Sequence, residues 1–190
     1  MKVGLFFGSF NPIHIGHLII AEHIVSNTNL DEVWFVVSPQ SPFKKKKNLL
    51  NEYDRLHLVN LAIENNDKLK ATDIEFKLPQ PSYTIDTLVY LKEKFKKNEF
   101  SLIMGSDNLE NLHKWKNADI LFKRYEFFVY KRPNHLNLKN AEKAKVTFLD
   151  APTLNISSTF IRKSIKENKS VKYILHEKVM KEIEDMAWYR

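Results

Sequence analysis

The chain has 190 residues, 43% hydrophobic and 28% charged, proportions of a folded globular protein rather than a disordered or fibrous one. It has no cysteine, which excludes disulfides, thiolate metal sites and a cysteine nucleophile; no apolar run reaches membrane-spanning length and no signal peptide opens it, so one domain over residues 1–190, cytoplasmic and without a membrane partner, is the expectation. Thirty Lys and Arg against 23 Asp and Glu leave a net charge of +7, which suits solubility or anionic ligands, either phosphorylated metabolites or nucleic acid.

Val3 to Phe7 is an apolar run of strand length. Gly8, Ser9, Asn11 and Pro12 break it, and an apolar period of helical spacing follows, predicting a helix from about His14 to Val25. A loop between a strand's carboxyl end and a helix N-terminus is where α/β sheets bind ligands. The free N–H groups and positive dipole end of such a helix suit phosphate. His14 and His17, three apart, can share one face of the first turn and donate to a polyphosphate. The pair can equally be surface or capping residues. As metal ligands they lack a nearby third partner and any cysteine.

Val33 to Val37 predicts a second buried strand, so strand, helix and strand form a right-handed βαβ unit. The loop after it contains Pro39, Pro42 and four successive lysines. The lysines form a solvated face or, leaving the same end of the sheet as the histidines, bring Lys44 to a phosphate. Asn51 is placed to cap a helix whose polar side carries Asp54 and Arg55. Ala71 to Leu78 alternates and predicts a third strand. Ser82 or Thr84 is expected to cap a helix reaching about Lys97, with Asp86 in its first turn.

Phe100 to Gly105 predicts a fourth strand, Glu126 to Tyr130 a fifth and Val146 to Leu149 a short sixth. Arg132, just past the fifth, either approaches a phosphate or stays on the surface. Ser157 and Ser158 precede a helix from about Thr159 to Glu167. Hydroxyls, free N–H groups and Arg162 there form a second phosphate cradle, or else a serine cap with a solvated arginine. A last amphipathic helix, His176 to Met186, shows no chemistry.

Two of these stretches carry a resemblance. Gly8-Ser9-Phe10-Asn11-Pro12-Ile13-His14-Ile15-Gly16-His17 resembles the G-x-F-x-P-x-H-x-G-H signature of the HIGH-motif nucleotidyltransferases, and Ile156 to Arg162 resembles their I-S-S-T-x-I-R. Ser82 to Leu88 (S-Y-T-x-D-T-L) and Gly105 to Trp115 (G-x-D-x-x-x-x-L-x-x-W) narrow the resemblance to the nicotinate mononucleotide adenylyltransferases of bacterial type. It runs from Val3 to Arg162. The expected fold is a Rossmann-like, doubly wound, mostly parallel α/β sheet, the nucleotidyltransferase fold. The family's P-H-K loop reads Pro42-Phe43-Lys44 here, and its R-P-G has Asn134 in place of Gly.

The resemblance implies transfer of AMP from ATP to nicotinate mononucleotide, by in-line attack without a covalent intermediate. His14, His17 and Arg162 are its catalytic residues. Gly8, Ser9, Phe10, Lys44, Ser157 and Ser158 join them around ATP. Thr84, Asp107, Trp115 and the adjacent Lys116 fall to the nicotinate nucleotide. Asp107 either accepts from ribose hydroxyls or caps a helix, and Trp115 either stacks on the pyridine ring or fills core. Mg²⁺ is expected as a cofactor held mainly by ATP phosphates and water, with no protein cage. Three alternatives stay open: the same fold with another acceptor, such as phosphopantetheine or a nicotinamide nucleotide; a cytidylyltransferase using CTP; and a nucleic-acid-binding module built on the lysine run. No basic stripe interleaved with aromatics supports the last. A homo-oligomer is compatible with the sequence.

Overall fold

The computed structural model describes residues 1–40, 49–132, 140–152 and 154–190. Its frame is a six-stranded sheet in the order β3-β2-β1-β4-β5-β6, and every pairing is parallel. The strands are β1 (Lys2–Gly8), β2 (Glu32–Val37), β3 (Leu69–Thr72), β4 (Glu99–Gly105), β5 (Glu126–Tyr130) and β6 (Lys145–Leu149). Helices α1 (Ile15–Asn27), α2 (Glu52–Ile63), α3 (Thr84–Lys94), α4 (Ser106–Asn111), α5 (Ala118–Arg124), α6 (Ser158–Lys166) and α7 (Glu177–Asp185) connect or follow them.

The strand sequences explain the two-sided sheet. Both faces are apolar, so the strands read as unbroken hydrophobic runs with alternate residues going to opposite layers. Phe6, Phe35, Ile103, Phe128 and Tyr130 pack with α1, α2, α6 and α7. Leu5, Trp34, Val36, Leu102, Met104, Phe127 and Val129 pack with α3, α4 and α5. The strand order reverses direction at β1 and β4. In a doubly wound sheet the crevice beyond the carboxyl ends of those two strands is the ligand site, and the loops after β1 and β4 carry the signature residues.

Three local expectations are corrected. The alternating stretch after Ala71 is strand only to Thr72; Ile74–Lys77 coils into a 3-10 turn. Thr72 Oγ1 accepts the Ile74 N–H and the Phe76 N–H donates to the Asp73 carbonyl, which bends the chain. Neither Ser82 nor Thr84 caps α3. Tyr83 holds the cap position without a side-chain bond, and the helix stops at Lys94, before Lys97. Arg55, expected on the solvent side of α2, is completely buried. Asn51 does cap α2, accepting from the Tyr53 N–H.

Candidate active site

The loop after β1 is folded around its own aromatic residues. Phe10 has a left-handed backbone, φ 43°, and its ring folds back beneath Gly8. A Cβ on Gly8 would stand 2.7 Å from that ring, so Phe10 requires the glycine. Phe10 is itself buried; it supports the loop and also lines the larger cavity of the site.

His14 is the N-cap residue of α1 and His17 lies in its first turn. The two rings stack, with centroids 3.7 Å apart. Phe10 and Phe6 meet the His17 ring edge-on at 5.2 and 6.1 Å. His17 Nδ1 accepts the His14 backbone N–H at 3.3 Å. A neutral His17 therefore carries its proton on Nε2, where it can be donated to a ligand. Burial first, and the Arg132 charge second, pull the His14 pKa down to about 4. His14 is thus neutral near pH 7, and two stacked imidazolium charges are avoided. Its Nδ1 is buried and has no partner among the described residues.

The second cradle is partly spent on holding the first. Ser157 caps α6, accepting from the Phe160 N–H. Ser158 Oγ donates to the Pro12 carbonyl at 2.9 Å. Arg162 Nη1 donates to the Asn11 carbonyl at 2.7 Å and Nη2 to Thr159 Oγ1 at 3.3 Å. Ser158 has therefore used its hydroxyl proton, and Ser157 keeps its own. Arg162 retains three of its five N–H groups. The capping and cradle readings of this helix start hold together.

These residues line a cavity of about 480 Å³ together with Gly8, Ser9, Asp107, Trp115, Tyr130 and Arg132. Asp107 does not cap α4, whose N-cap is Gly105. Its Oδ1 lies 3.3 Å from Arg132 Nε. A Cβ at Gly105 would stand 2.8 Å from that nitrogen, so a larger residue there would force the pair to shift. Arg132 is more than a surface residue. Its Nη2 donates to the Tyr130 hydroxyl at 3.1 Å, its guanidinium lies 5.4 Å from the Tyr130 ring, and its backbone N–H donates to Ser106 Oγ. Its position immediately beyond the end of β5 is what offered the phosphate reading in the sequence.

A second cavity of about 400 Å³ shares Gly8, Ser9 and Trp115 with the first and adds Glu75, Ser82, Tyr83, Thr84 and Lys116. Trp115 is half-buried at the junction, so it is more than core filling. Asp86 and Thr87 donate their N–H groups to the Tyr83 carbonyl. The N–H groups of Thr84 and Ile85, at the helix's first positions, lie beyond any intrahelical acceptor. Lys116 Nζ lies 4.9 Å above the Tyr83 ring and 2.8 Å from Asp86. Beneath this end sits Glu75, a buried carboxyl that sequence reasoning missed. It accepts from Ser82 and Thr87 hydroxyls, each at 2.9 Å. Burial pushes its pKa up, against those hydroxyls and that of Ser38. The alternation that suggested a strand concealed it.

Arg55 was missed for a similar reason: a helix periodicity that places charge outward does not reveal a buried clamp. Its guanidinium donates to the carbonyls of Ser9, Ser38, Pro39 and Leu50, four acceptors that offset its desolvation. Lys44, the remaining expected ATP contact, lies outside the described residues.

Comparison with known proteins agrees with this geometry. Residues 5–164 match the cytidylyltransferase-like family. A probable nicotinate-nucleotide adenylyltransferase of Flavobacterium psychrophilum is 53% identical over the whole of both chains. The chain belongs to the nicotinate-nucleotide adenylyltransferase family. A further member, from Bacteroides thetaiotaomicron and also described as a probable nicotinate-nucleotide adenylyltransferase, is 42% identical over 97% of this chain and 92% of its own. The fold matches the Plasmodium falciparum nicotinic acid mononucleotide adenylyltransferase, solved in complex with NaAD, with a TM-score of 0.82 at 22% identity over 99% and 97% of the two chains. The same enzyme complexed with APC gives 0.81. Among the described residues, no helix is long and apolar enough to cross a membrane.

Proposed function

We propose that this family member joins ATP to nicotinate mononucleotide, forming deamido-NAD and pyrophosphate. The observation that carries the reading is that the two cavities adjoin, sharing Gly8, Ser9 and Trp115 in their walls. One side offers histidines, an arginine and a helix N-terminus to a polyphosphate; the other offers an aromatic face and helix N–H groups to a ring bearing a carboxylate.

In this reading the mononucleotide's phosphate oxygen attacks the α-phosphorus of ATP. The bond from that phosphorus to the bridging oxygen breaks, and pyrophosphate leaves with its electrons. The attacking phosphate is already anionic, so no general base is needed, and the protein contributes positioning and charge stabilisation. His17 Nε2–H donates to the α-phosphate oxygens as charge builds. His14 binds nearer the leaving group. Ser157 and the remaining N–H groups of Arg162 steady the pyrophosphate. Asp107 is the one carboxylate among the described residues lining the larger cavity, and it already faces Arg132. That donor set fits a Mg²⁺ ion that arrives with ATP and is held by phosphate oxygens and water.

Thr84 and Ile85 N–H groups favour a carboxylate, which accepts at both oxygens, over a carboxamide whose NH₂ would face donors. The test is pyrophosphate release with ATP or CTP over nicotinate mononucleotide, nicotinamide mononucleotide and phosphopantetheine. ATP with the nicotinate nucleotide should lead, by roughly a hundredfold or more in kcat/KM over the nicotinamide nucleotide. Comparable values for the two would sink the nicotinate assignment. Silence with every acceptor would sink AMP transfer altogether.

A further inference from the structure

The loop from Ser9 to His14 is held from outside by the far end of the chain. Asn11, almost fully buried, is the hub. Its side-chain Oδ1 accepts from the Tyr189 hydroxyl at 2.8 Å and from the Leu50 N–H at 3.2 Å. Its carbonyl accepts from Arg162. Inside the histidine signature, between His14 and His17, the Ile15 N–H donates to the Ile174 carbonyl at 3.1 Å. The residues flanking α7 therefore hold the loop at its middle and at its helix end.

The backbone takes an unusual path to make this contact. After α7, the Ala187 N–H donates to the Glu184 carbonyl and the Trp188 N–H to the Ile183 carbonyl. That is the Schellman pattern, which needs a left-handed residue at Ala187; its φ is 53°. Tyr189 is left-handed as well, φ 66°, an outlying conformation for a bulky side chain. Such conformations persist where the surroundings over-determine them, and they point toward function. A phenylalanine would fill the same apolar space. Tyr189 is half-buried; burial raises the pKa of its hydroxyl, which is spent on Asn11.

We propose that Tyr189 is a positioning residue for AMP transfer, acting through Asn11 to fix the loop that presents His14 and His17. The role in transfer rests on the proposed function; the effect on the loop does not. Tyr189→Phe in the full chain should lower kcat on the order of fivefold, the value of one neutral hydrogen bond. The acceptor KM should be unchanged and the Tm should fall by about 2–4 °C. In an Asn11→Ala background the same change should cost nothing further, because the contact is already gone. Amide hydrogen exchange should accelerate in residues 9–17 of Tyr189→Phe and not elsewhere. Unchanged kcat, an equal loss in both backgrounds, or exchange that rises uniformly would each overturn the proposal. If the wild-type chain transfers no AMP, the proposed function fails. The exchange experiment then still decides whether Tyr189 fixes the loop.

Discussion

The two cavities are built differently. Around the larger one, one buried and two half-buried donors bond the backbone carbonyls of the loop: Arg55 on Ser9, Ser158 on Pro12 and Arg162 on Asn11. The His17 ring is held between His14, Phe10 and Phe6. Around the smaller one, Trp115 is half-buried and the Lys116–Asp86 pair leaves 44% and 47% of its side chains exposed; such a pair adds little rigidity. Only the hydroxyl cluster on Glu75 is deeply buried there. Stabilising a transition state requires donors fixed before the charge develops. Choosing an acceptor requires complementary donors and a ring to stack on, and tolerates mobility. Substitutions around the larger cavity should therefore appear in kcat, and those around the smaller one in the KM of the acceptor.

The largest effect should come from His17→Ala. Losing a donor aimed at developing charge is expected to lower kcat roughly 10²- to 10³-fold, with far less change in the affinity for ATP. Steady-state kinetics beside direct titration of a non-hydrolysable ATP analogue separates the two. A near-normal kcat would reduce His17 to a packing residue and erase the contrast between the cavities.

Trp115→Ala should act on the other side. Loss of a ring that stacks against a pyridinium is expected to raise the KM for the nicotinate nucleotide roughly tenfold, the scale of a desolvated cation–π contact, while kcat at saturating acceptor falls less. Should kcat carry the loss instead, the smaller cavity shares in the chemical step and the division of labour is wrong.

How much of this was legible in the sequence follows the same line. Five of the six strands and the loop-to-helix junctions were readable, because apolar runs and glycine breaks report local physics; the third strand was misplaced toward Leu78. So was the convergence of His14, His17, Ser157 and Arg162, carried by motifs that sit at strand ends. What escaped was the support. Arg55 looked like a solvent-facing helix residue because three of its four acceptors, the carbonyls of Ser9, Ser38 and Pro39, come from loops 16 or more residues away in the chain. Glu75 looked like the polar half of a strand because its hydroxyl partners begin seven residues later. Tyr189 offered no local signal at all, since its partner Asn11 lies at the opposite end of the sequence. Periodicity reveals which face of an element is buried; it does not reveal a buried polar group whose partners are distant.

The smallest effect tests how far the rigidity of the larger cavity reaches. Ala187 adopts a left-handed backbone to close α7 and send Tyr189 back toward Asn11. An L-residue pays roughly 1–2 kcal/mol for that conformation and glycine does not, whereas glycine gives up ~0.4–1 kcal/mol through its freer unfolded chain. The difference favours Ala187→Gly by about 0.5–1 kcal/mol, a Tm rise of ~1–4 °C for a chain of this size. Both backbone bonds of the Schellman turn survive the change, so Tyr189 should still reach Asn11 and kcat should stay as it is. A more stable variant with lowered kcat would mean that the side chain of Ala187, and not the turn alone, aims Tyr189. A less stable variant would mean that contacts of the Ala187 methyl outweigh the conformational cost, and the left-handed turn would then be no sign of a path held under constraint.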